Sequence, residues 1–320
     1  MNNPLISIVI ANYNYGRFLD EAIQSVVSQD VDSQVELIIC DAASTDNSVE
    51  IIKRYANGLP PNTPYEEWVT QTGSQLTNHN SQLLTWWCSE KDGGQSAAFN
   101  KGFSHARGRF LTWLNADDVI LPGVLRKLNY AIRKYPKCEW FVGGCFWLDP
   151  EMRIFKCGRA RHMSSRRARH GVVNVCGPSS FFSKDLYRRV GGMDERFQFT
   201  MDTDLWVRFV YDAKVTYYPF IKYAWGLRIH PCAKMSGHKV TQDGRILDGR
   251  ESQIAFSKDK PRMIQLKRES EWISRKHTLL KVDKAQSFFH RILSSDFYAA
   301  VMSRIDTWKY YGKSYLEPSV

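Results

Sequence analysis

The sequence contains no pair of cysteines in the C-x-x-C spacing, and its seven cysteines are scattered singly between Cys40 and Cys232. A structural zinc site needs clustered thiols and a disulfide framework needs an even set, so neither is indicated. Several of these cysteines lie inside apolar runs, where a thiol behaves as a small core residue. We therefore expect a reducing compartment, the cytoplasm.

A long apolar run is also missing, because no stretch reaches the roughly 18 residues that would be needed to cross a bilayer. The polar segment Met1–Pro4 leads directly into a strand-like run, without the apolar region of a secretory leader. We expect no signal peptide. Any meeting with a membrane is then expected to be peripheral, at the inner face.

Acidic residues are absent from Arg153 to Arg169, although this stretch contains seven Arg or Lys. The whole chain carries a formal net charge of +11, which favours anionic partners such as phosphorylated molecules, nucleic acid or an acidic membrane face. The basic stretch predicts either a solvated loop or an anion-binding surface. Against nucleic acid, the aromatic residues are not interleaved with Lys or Arg, and no recognition motif is present.

Strand-like and helix-like segments alternate in the first half of the chain. The apolar runs Leu5–Ala11, Val35–Cys40 and Leu111–Leu114 are rich in residues typical of strands buried on both faces. Helical periodicity follows the first run over residues 18–27 and the second over residues 49–55. This alternation predicts an α/β fold with right-handed crossovers, which binds ligands beyond the carboxyl ends of its strands.

The second half of the chain predicts further elements and an appendage. We expect a strand over residues 138–148, a short helix over 185–190, a helix beginning near Asp202, and two last strands over 215–219 and 222–229. Residues 58–84 are predicted to be an insertion without regular periodicity. Residues 1–236 are thus expected to form one catalytic domain, divided into a donor half (1–122) and an acceptor half (123–236), and residues 237–320 an α-helical region.

Acidic side chains stand where the predicted strands end. Asp41 follows the second strand, and the adjacent acids Asp117 and Asp118 follow the strand that begins near Leu111. Carboxylates brought together at the edge of a sheet need a cation or a proton to offset their repulsion. The Gly93-Gly94 turn before a helix adds a weak signal for phosphate binding.

Several motifs in fixed order give the chain a resemblance to the family 2 glycosyltransferases over about residues 5–235. They are Ile8-Val-Ile-Ala-Asn-Tyr13-Asn, Asp41-Ala-Ala-Ser-Thr-Asp46, Glu90-Lys-Asp-Gly-Gly-Gln-Ser, Leu114-Asn-Ala-Asp-Asp118, Gly191-Gly-Met-Asp-Glu and Asp202-Thr-Asp-Leu-Trp-Val-Arg. The resemblance implies the GT-A fold, a Rossmann-like, mixed but mostly parallel sheet flanked by helices. It also implies an inverting, metal-dependent transfer of a sugar from a nucleotide-diphospho-sugar to an acceptor hydroxyl.

The resemblance carries residue roles with it. It implies that Asp202 is the catalytic base, with Asp204 structural, and that the metal, Mg²⁺ or Mn²⁺, binds Asp117, Asp118 and His230. The nucleotide-sugar, with a UDP-sugar as the first expectation, is implied to contact Ala11, Tyr13, Asp41, Asp92, Gln95, Asn100, Asn115 and Asp117. Bland readings of the same residues are a core tyrosine at Tyr13, helix-capping acids at Asp41, Asp202 and Asp204, and a structural His230.

Two departures from the family pattern and the choice of partners stay open at this point. Relatives often carry Glu where this chain has Met201, and Asp where it has Ala97. The acceptor is expected to be a saccharide or a lipid-linked sugar of surface polysaccharide or glycolipid assembly, with no nucleic acid partner. The basic C-terminal segments are expected to pack on the catalytic domain, on a second copy in a homodimer, or against the membrane surface. A nucleic-acid binder and a catalytically degenerate scaffold are the alternative functions.

Overall fold

The computed structural model describes residues 4–31, 35–63, 67, 70, 84–160, 175, 177–233, 260–276 and 295–316. The strands in these ranges are β1 (Ile6–Asn12), β2 (Val35–Asp41), β3 (Leu84–Ser89), β4 (Phe110–Asn115), β5 (Val119–Ile120), β6 (Trp140–Leu148), β7 (Ile154–Gly158), β8 (Ser180–Ser183) and β9 (Tyr218–Arg228). The helices are α1 (Gly16–Val27), α2 (Ser48–Ala56), α3 (Gln95–His105), α4 (Val124–Lys134), α5 (Lys184–Arg189), α6 (Met201–Tyr211), α7 (Lys260–Lys276) and α8 (Ser295–Tyr310).

These strands form one mixed sheet in the order β3-β2-β1-β4-β8-β6-β9-β5, with β7 paired to β6. The half formed by β3, β2, β1 and β4 is parallel, and β8 joins it to β6 with antiparallel pairing. Strand β9 then pairs parallel to β6. Because β1, β2 and β4 run in the same direction, their carboxyl ends meet at one edge, with Ala11 opposite Asn115 and Asn12 opposite Asp41.

Helices cover both faces of the sheet, as the buried-strand pattern of the sequence requires. On one face the apolar sides of α1, α2 and α4 pack on the strands through residues such as Leu19, Ile51 and Leu128. On the other face α3, α5 and α6 do the same through Phe99, Leu186 and Trp206. The predicted α/β fold of the GT-A type, with helices on both faces of a mixed sheet, is confirmed.

Three predictions about the later strands were wrong. The two strands expected over 215–219 and 222–229 are one strand, β9, whose pairing with β6 contains register shifts near Gly143. These irregularities accommodate Pro219 close to its start, where a ladder donor is not needed. The basic stretch expected to be a loop contains β7, in which Ile154 and Cys157 are buried and whose pairing with β6 has a register shift at Leu148. The two-residue strand β5 was not predicted, because it is too short to show a period.

Other predictions lie partly outside the described residues. These are the insertion over 58–84, described only to residue 63 and at 67, 70 and 84, the basic residues 161–169, and all of residues 237–259 and 277–294. Of the predicted C-terminal helical region, residues 260–276 and 295–310 are indeed helices. None of the helices in the described ranges has the length and apolar character that a membrane span requires.

The last helix is anchored on the catalytic sheet. Asp306 of α8 forms a bidentate ion pair with Arg159, its Oδ2 lying 2.5 Å from Nε and its Oδ1 2.9 Å from Nη2. Tyr223 of β9 also donates a hydrogen bond to Asp306. The backbone at Ile154 exchanges hydrogen bonds with Gly312 and Lys313 just beyond the helix. Helix α8 therefore packs on the domain at β7, which was one of the three expected placements.

Candidate functional site

A cavity of about 780 Å³ opens at the carboxyl ends of β1 and β4. Its walls come from both halves of the sheet, because the segment 198–202 before and within α6 faces the strand ends. The predicted site residues that line it are Ala11, Tyr13, Asp92, Gln95, Asn115, Asp117, Asp118 and Asp202. The structure thus brings together side chains far apart in sequence. Asp41, Asn100 and His230 are not among the lining residues.

Asp117 lines the cavity, and His230 contacts it from outside the cavity lining. Nε2 of His230 lies 3.0 Å from Oδ2 of Asp117, and Nδ1 lies 3.3 Å from Nη2 of Arg17. A guanidinium only donates, so Nδ1 accepts and Nε2 carries the proton that is donated to Asp117. The imidazole is also packed against the Phe18 ring at 4.6 Å between centroids. These contacts fix the orientation of both groups.

The Asp117 carboxylate is an oxygen donor that suits a hard divalent cation such as Mg²⁺ or Mn²⁺. The His230 imidazole would become a second ligand when Nε2 loses its proton, which requires the Arg17 contact at Nδ1 to change. Across the ranges that the structure describes, no set of three or more His, Cys, Asp and Glu side chains converges on a metal position.

Asp118 faces into the protein. Its Oδ2 accepts a hydrogen bond from Asn115 Nδ2 at 2.7 Å, and its Oδ1 accepts one from the Arg228 backbone N–H at 3.1 Å. Burial, followed by the neighbouring charge of Asp117, raises the pKa of this fully buried carboxyl well above its usual range. Each oxygen thus has one partner from the fold, and the two bonds tie the end of β4 to β9. The predicted role of Asp118 as a metal ligand stays a prediction.

A chain of amides connects this acid to the first turn of α3. Gln95 Nε2 donates to Asn115 Oδ1 at 2.9 Å, and Asn115 in turn donates to Asp118. Both Gln95 and Asn115 border the cavity. Their predicted contact with a nucleotide-sugar remains a prediction, and their geometry places polar groups beside Asp117.

Asp41 is 1% exposed, and its carboxylate is saturated by the protein. Oδ1 accepts from Asn12 Nδ2 at 2.6 Å and from Ser44 Oγ at 2.5 Å, while Oδ2 accepts from the Ser44 backbone at 3.0 Å and from Ser89 Oγ at 2.6 Å. The predicted contact with a nucleotide does not fit this arrangement. Asp41 instead ties together the loops that follow β1, β2 and β3.

Asn100 is likewise committed to the fold. Its Nδ2 donates to the Met193 carbonyl at 2.9 Å and to Glu195 at 2.8 Å, and its Oδ1 accepts from Tyr187 Oη and from the Met193 N–H. It braces the turn at Gly191 and Gly192, outside the cavity. The predicted nucleotide-sugar contact of Asn100 stays a prediction, and Asn100 is not among the residues that line the cavity.

The outer wall of the cavity is formed by the turn after β1. Tyr13 is 58% exposed and lines the cavity. Ala11 and Asp92 also line it, and Oδ1 of Asp92 accepts from the Gly94 N–H at 2.8 Å. The bland reading of Tyr13 as a core residue is excluded by its exposure.

Asp202 and Asp204 are two residues apart on α6 and have different surroundings. Asp202 lines the cavity half-buried, and its Oδ1 accepts from the Thr203 N–H at 2.6 Å. Burial raises the pKa of Asp202 above its ordinary value. Asp204 is fully buried and forms an ion pair with Arg208 at 2.6 Å. The second acid is structural, as predicted.

Sequence reasoning missed several residues of the cavity wall, among them Trp113, Gln198 and Arg228. Arg228 donates from Nε to the Asp117 carbonyl at 3.1 Å and pairs with Glu21, so it fixes the backbone that presents Asp117. An arginine inside a buried strand was the signal for this role. Met201, noted as a departure, precedes Asp202 in the chain, and its sulfur lies 3.1 Å from Ser96 Oγ.

The model of the family described as glycosyl transferase family 2 matches residues 7–68 and 78–191, more than half of the chain. The chain belongs to glycosyltransferase family 2. The resemblance read from the motifs is thereby confirmed. Because the match ends at residue 191, Asp202 and His230 lie beyond it, and their roles depend on the cavity geometry.

Curated relatives of this family 2 member are named as glycosyltransferases. An uncharacterized glycosyltransferase of Nostoc sp. is 35% identical over 123 residues, which is 38% of this chain and 31% of that protein. The putative glycosyltransferase EpsE of Bacillus subtilis is 27% identical over 214 residues, 65% of this chain and 67% of that protein. The chain spans between 31% and 65% of the length of the first four relatives.

Among solved structures, residues 1–349 of S. aureus TarS in complex with UDP-GlcNAc superpose with a TM-score of 0.53. The alignment covers 95% of this chain and 74% of that one, at 15% sequence identity. At this identity the likeness bears on the fold, and it agrees with the family assignment.

Proposed function

We propose that the protein transfers a sugar from a nucleotide-diphospho-sugar to an acceptor hydroxyl, with inversion at the anomeric carbon. The observation that carries this proposal is that Asp117 and Asp202, which come from the two halves of the sheet, line one cavity of about 780 Å³. A volume of this order accommodates a small-molecule ligand of nucleotide size. In this proposal Asp117 serves the diphosphate of the donor, and Asp202 serves the acceptor hydroxyl as its base.

Asp202 takes the acceptor proton in this mechanism. In a single displacement, the acceptor oxygen forms its bond to the anomeric carbon while the bond from that carbon to the diphosphate oxygen breaks. The hydroxyl proton passes to the Asp202 carboxylate, and the leaving group departs as nucleoside diphosphate. Because burial raises the pKa of Asp202, its carboxylate is a stronger base than a solvated aspartate.

Asp117 and His230 are the residues that would hold a divalent cation, Mg²⁺ or Mn²⁺. Such an ion, when bound, neutralises the negative charge that grows on the departing diphosphate. Asp118, Asn115 and Arg228 keep Asp117 in place through the hydrogen bonds at the ends of β4 and β9. Tyr13 provides an exposed ring for stacking on a base at the cavity mouth.

The donor half of the proposal is tested by titrating UDP, GDP and dTDP into the protein by calorimetry, with and without Mn²⁺. UDP is the first choice, since TarS is a structural relative solved with UDP-GlcNAc. We expect metal-dependent binding that weakens at least about tenfold in Asp117→Asn. The matched control is Asp30→Asn, which alters an exposed acid outside the cavity lining. Metal-independent binding, or equal binding by Asp117→Asn, would contradict the proposed cation site.

The transfer half is tested with a panel of nucleotide-sugars and saccharide acceptors. The anomeric configuration of the product, read by NMR, should be opposite to that of the donor. Retention of configuration would refute the single displacement. Hydrolysis or transfer that is lost in Asp202→Asn would exclude the degenerate-scaffold alternative.

We also propose that the acceptor is presented at an anionic membrane surface, as a lipid-linked saccharide. The exposed face of α8 and the turn after it contains Ile305, Trp308 and Tyr311, with Trp308 86% exposed. Lys309 and Lys313 flank these apolar side chains. A basic surface with exposed aromatic rings is typical of peripheral membrane contact.

Sedimentation with vesicles containing phosphatidylglycerol should retain the protein, and Trp308→Ser should weaken retention. Equal retention by neutral vesicles would contradict the electrostatic part of the proposal.

A further inference from the structure

The segment immediately before α6 is held by a carboxylate from a distant helix. Glu269 of α7 is only 7% exposed. Its Oε1 accepts from the Gln198 N–H at 3.0 Å, and its Oε2 accepts from the Phe199 N–H at 3.0 Å. Oε2 also accepts from the Thr200 N–H at 3.0 Å and from Thr200 Oγ1 at 2.9 Å. One carboxylate thus accepts hydrogen bonds from three consecutive residues.

These bonds hold the turn that leads into α6. The N–H groups of this turn need acceptors, and Glu269 supplies them for residues 198–200. Thr200, the N-cap residue of α6, makes no side-chain capping bond, and its hydroxyl donates to Glu269. A negative charge beside this end is also favourable for the helix dipole. Helix α6 therefore starts where Glu269 fixes it, and Asp202 is its second residue.

Further contacts lock α7 to the same segment. The Trp272 ring packs edge-on against Phe197, with centroids 5.2 Å apart, and the Arg196 guanidinium lies 4.6 Å from the Trp272 ring centroid. Ile273 is buried in the core beside them. Gln265 donates to Glu269 Oε1 at 3.1 Å, which restrains the carboxylate itself. The contact is therefore a packed interface with the buried acid at its centre.

The clamped segment forms part of the cavity wall. Gln198 and Phe199 line the cavity together with Asp202, so the bonds of Glu269 lie directly behind that wall. The Gln198 amide also lies against Gly94 at the start of α3, where an added Cβ would meet Gln198 Oε1 at 3.0 Å. Movement of residues 198–200 would thus displace the base relative to the donor side of the cavity.

We infer that Glu269 is a positioning residue for Asp202, and that α7 is a working part of the acceptor side of the site. This inference rests on the proposed transfer reaction, because it assigns Asp202 the role of base. Glu269 does not reach the cavity and acts only through the backbone of residues 198–200. Its removal should therefore affect the chemical step and leave donor binding intact.

The experiment compares Glu269→Ala and Glu269→Gln with Glu271→Ala, a control that removes a half-exposed acid of the same helix. Hydrogen–deuterium exchange of a peptide covering residues 197–203 should be faster by about ten- to a hundredfold in Glu269→Ala, since several charge-assisted hydrogen bonds are lost. Glu269→Gln keeps one acceptor oxygen and should be intermediate. Glu271→Ala should exchange like the unaltered protein.

Kinetics then separate positioning from general damage. In Glu269→Ala, kcat should fall about ten- to a hundredfold, while the donor KM and the nucleotide Kd stay within about twofold of the unaltered protein. Glu269→Gln should recover part of kcat. Unchanged exchange at 197–203, or faster exchange with an unchanged kcat, would overturn the inference. An unaltered protein that neither binds nucleotides nor transfers sugar would refute the proposed function, and with it the base to be positioned, before any variant is made.

Discussion

Two carboxylates that are adjacent in the sequence, Asp117 and Asp118, have opposite surroundings. Asp117 lines the cavity beside an imidazole, whereas Asp118 accepts hydrogen bonds from Asn115 and Arg228. The difference arises in the turn between β4 and β5, where the two side chains meet different partners. At the residue scale, adjacency of two acids therefore says little about shared function.

The raised pKa of Asp202 gives a prediction for the pH dependence of transfer. A base must be deprotonated, so kcat/KM should rise with pH through a pKa above the value of about 3.9 for an ordinary aspartate. Asp202→Asn should lower kcat by roughly 10²- to 10⁴-fold and abolish this rise of kcat/KM with pH. Steady-state rates from pH 4 to 8 check this. If kcat/KM of Asp202→Asn still rises with pH in the same way, the titrating group is a different one.

The neighbouring acid should behave in the opposite manner. Asp204→Ala leaves the Arg208 guanidinium buried without its counter-ion, which should lower the free energy of unfolding by about 3–5 kcal/mol. Asp202→Asn should leave that free energy nearly unchanged. Chemical denaturation of the two variants measures both effects. A stable Asp204→Ala protein with lost activity would show that the two roles are reversed.

At the residue scale, the sequence predicted which carboxylates line the cavity more accurately than it predicted what each carboxylate contacts. Asp117 and Asp202 were placed in one cavity from their positions at the end of a strand and the start of a helix. Asp41 and Asn100 could not be separated from them, because their partners Ser44, Ser89, Tyr187 and Met193 are selected by loop geometry. The hydrogen bonds that a side chain forms depend on distances between atoms in the folded chain. No local sequence pattern contains these distances.

At the scale of elements, the close approach of α3 to the sheet sets the position of Gln95. Gly102 faces Val9 of β1, and a Cβ at this residue would lie 2.3 Å from Val9 Cγ1 and 3.2 Å from Cys40 Sγ. Only a glycine allows the helix to pack at this distance. The first turn of α3 is thereby held against Asn115 at the edge of the sheet.

A methyl group at residue 102 should push this helix outward. Gly102→Ala is expected to destabilise the protein by about 1–3 kcal/mol through overpacking, although alanine is the better helix former. Thermal unfolding measures the change. The control is Lys101→Ala, at a more exposed position of the same helix as Gly102. Gly191→Ala is unsuitable as a control, because the positive φ of Gly191 adds backbone strain in the variant. An unchanged stability of Gly102→Ala would mean that α3 can shift without cost.

Elements in the parallel half of the sheet were the easiest to predict, since β1, β2 and β4 are buried on both faces and read as continuous apolar runs. Strands β7 and β9 were harder. β7 carries Lys156 on its outer side and lies within a basic stretch, while β9 contains Pro219 and the exposed Lys222. Edge position and solvent exposure remove the period that sequence analysis detects.

At the scale of the whole molecule, the C-terminal helices complete the domain on two sides. Helix α8 packs on β7 through Asp306, and α7 packs on the segment before α6 through Glu269. Helical character of this region was predictable from composition. Its attachment points were not, because they join residues more than 60 positions apart through a few buried polar contacts.

The Asp306 contact predicts how α8 is retained. Asp306→Ala leaves Arg159, which is 16% exposed, without its ion-pair partner, and removes the acceptor of Tyr223. We expect a loss of about 3–5 kcal/mol in unfolding free energy and faster proteolysis within residues 295–316. Arg304→Ala, on the exposed side of the same helix, should change neither. Equal protease resistance of Asp306→Ala would show that apolar contacts alone hold α8.

The clamp of Glu269 on residues 198–200 also has a consequence for building chimeras. A graft that joins residues 1–233 to the C-terminal region of another family member would inherit the donor cavity complete, but its acceptor wall would be unsupported. Such a hybrid should bind nucleotide yet transfer poorly, unless the imported helix carries a carboxylate at the place of Glu269. Exchange of acceptor preference between relatives would then require this one acid to be carried over with the helix.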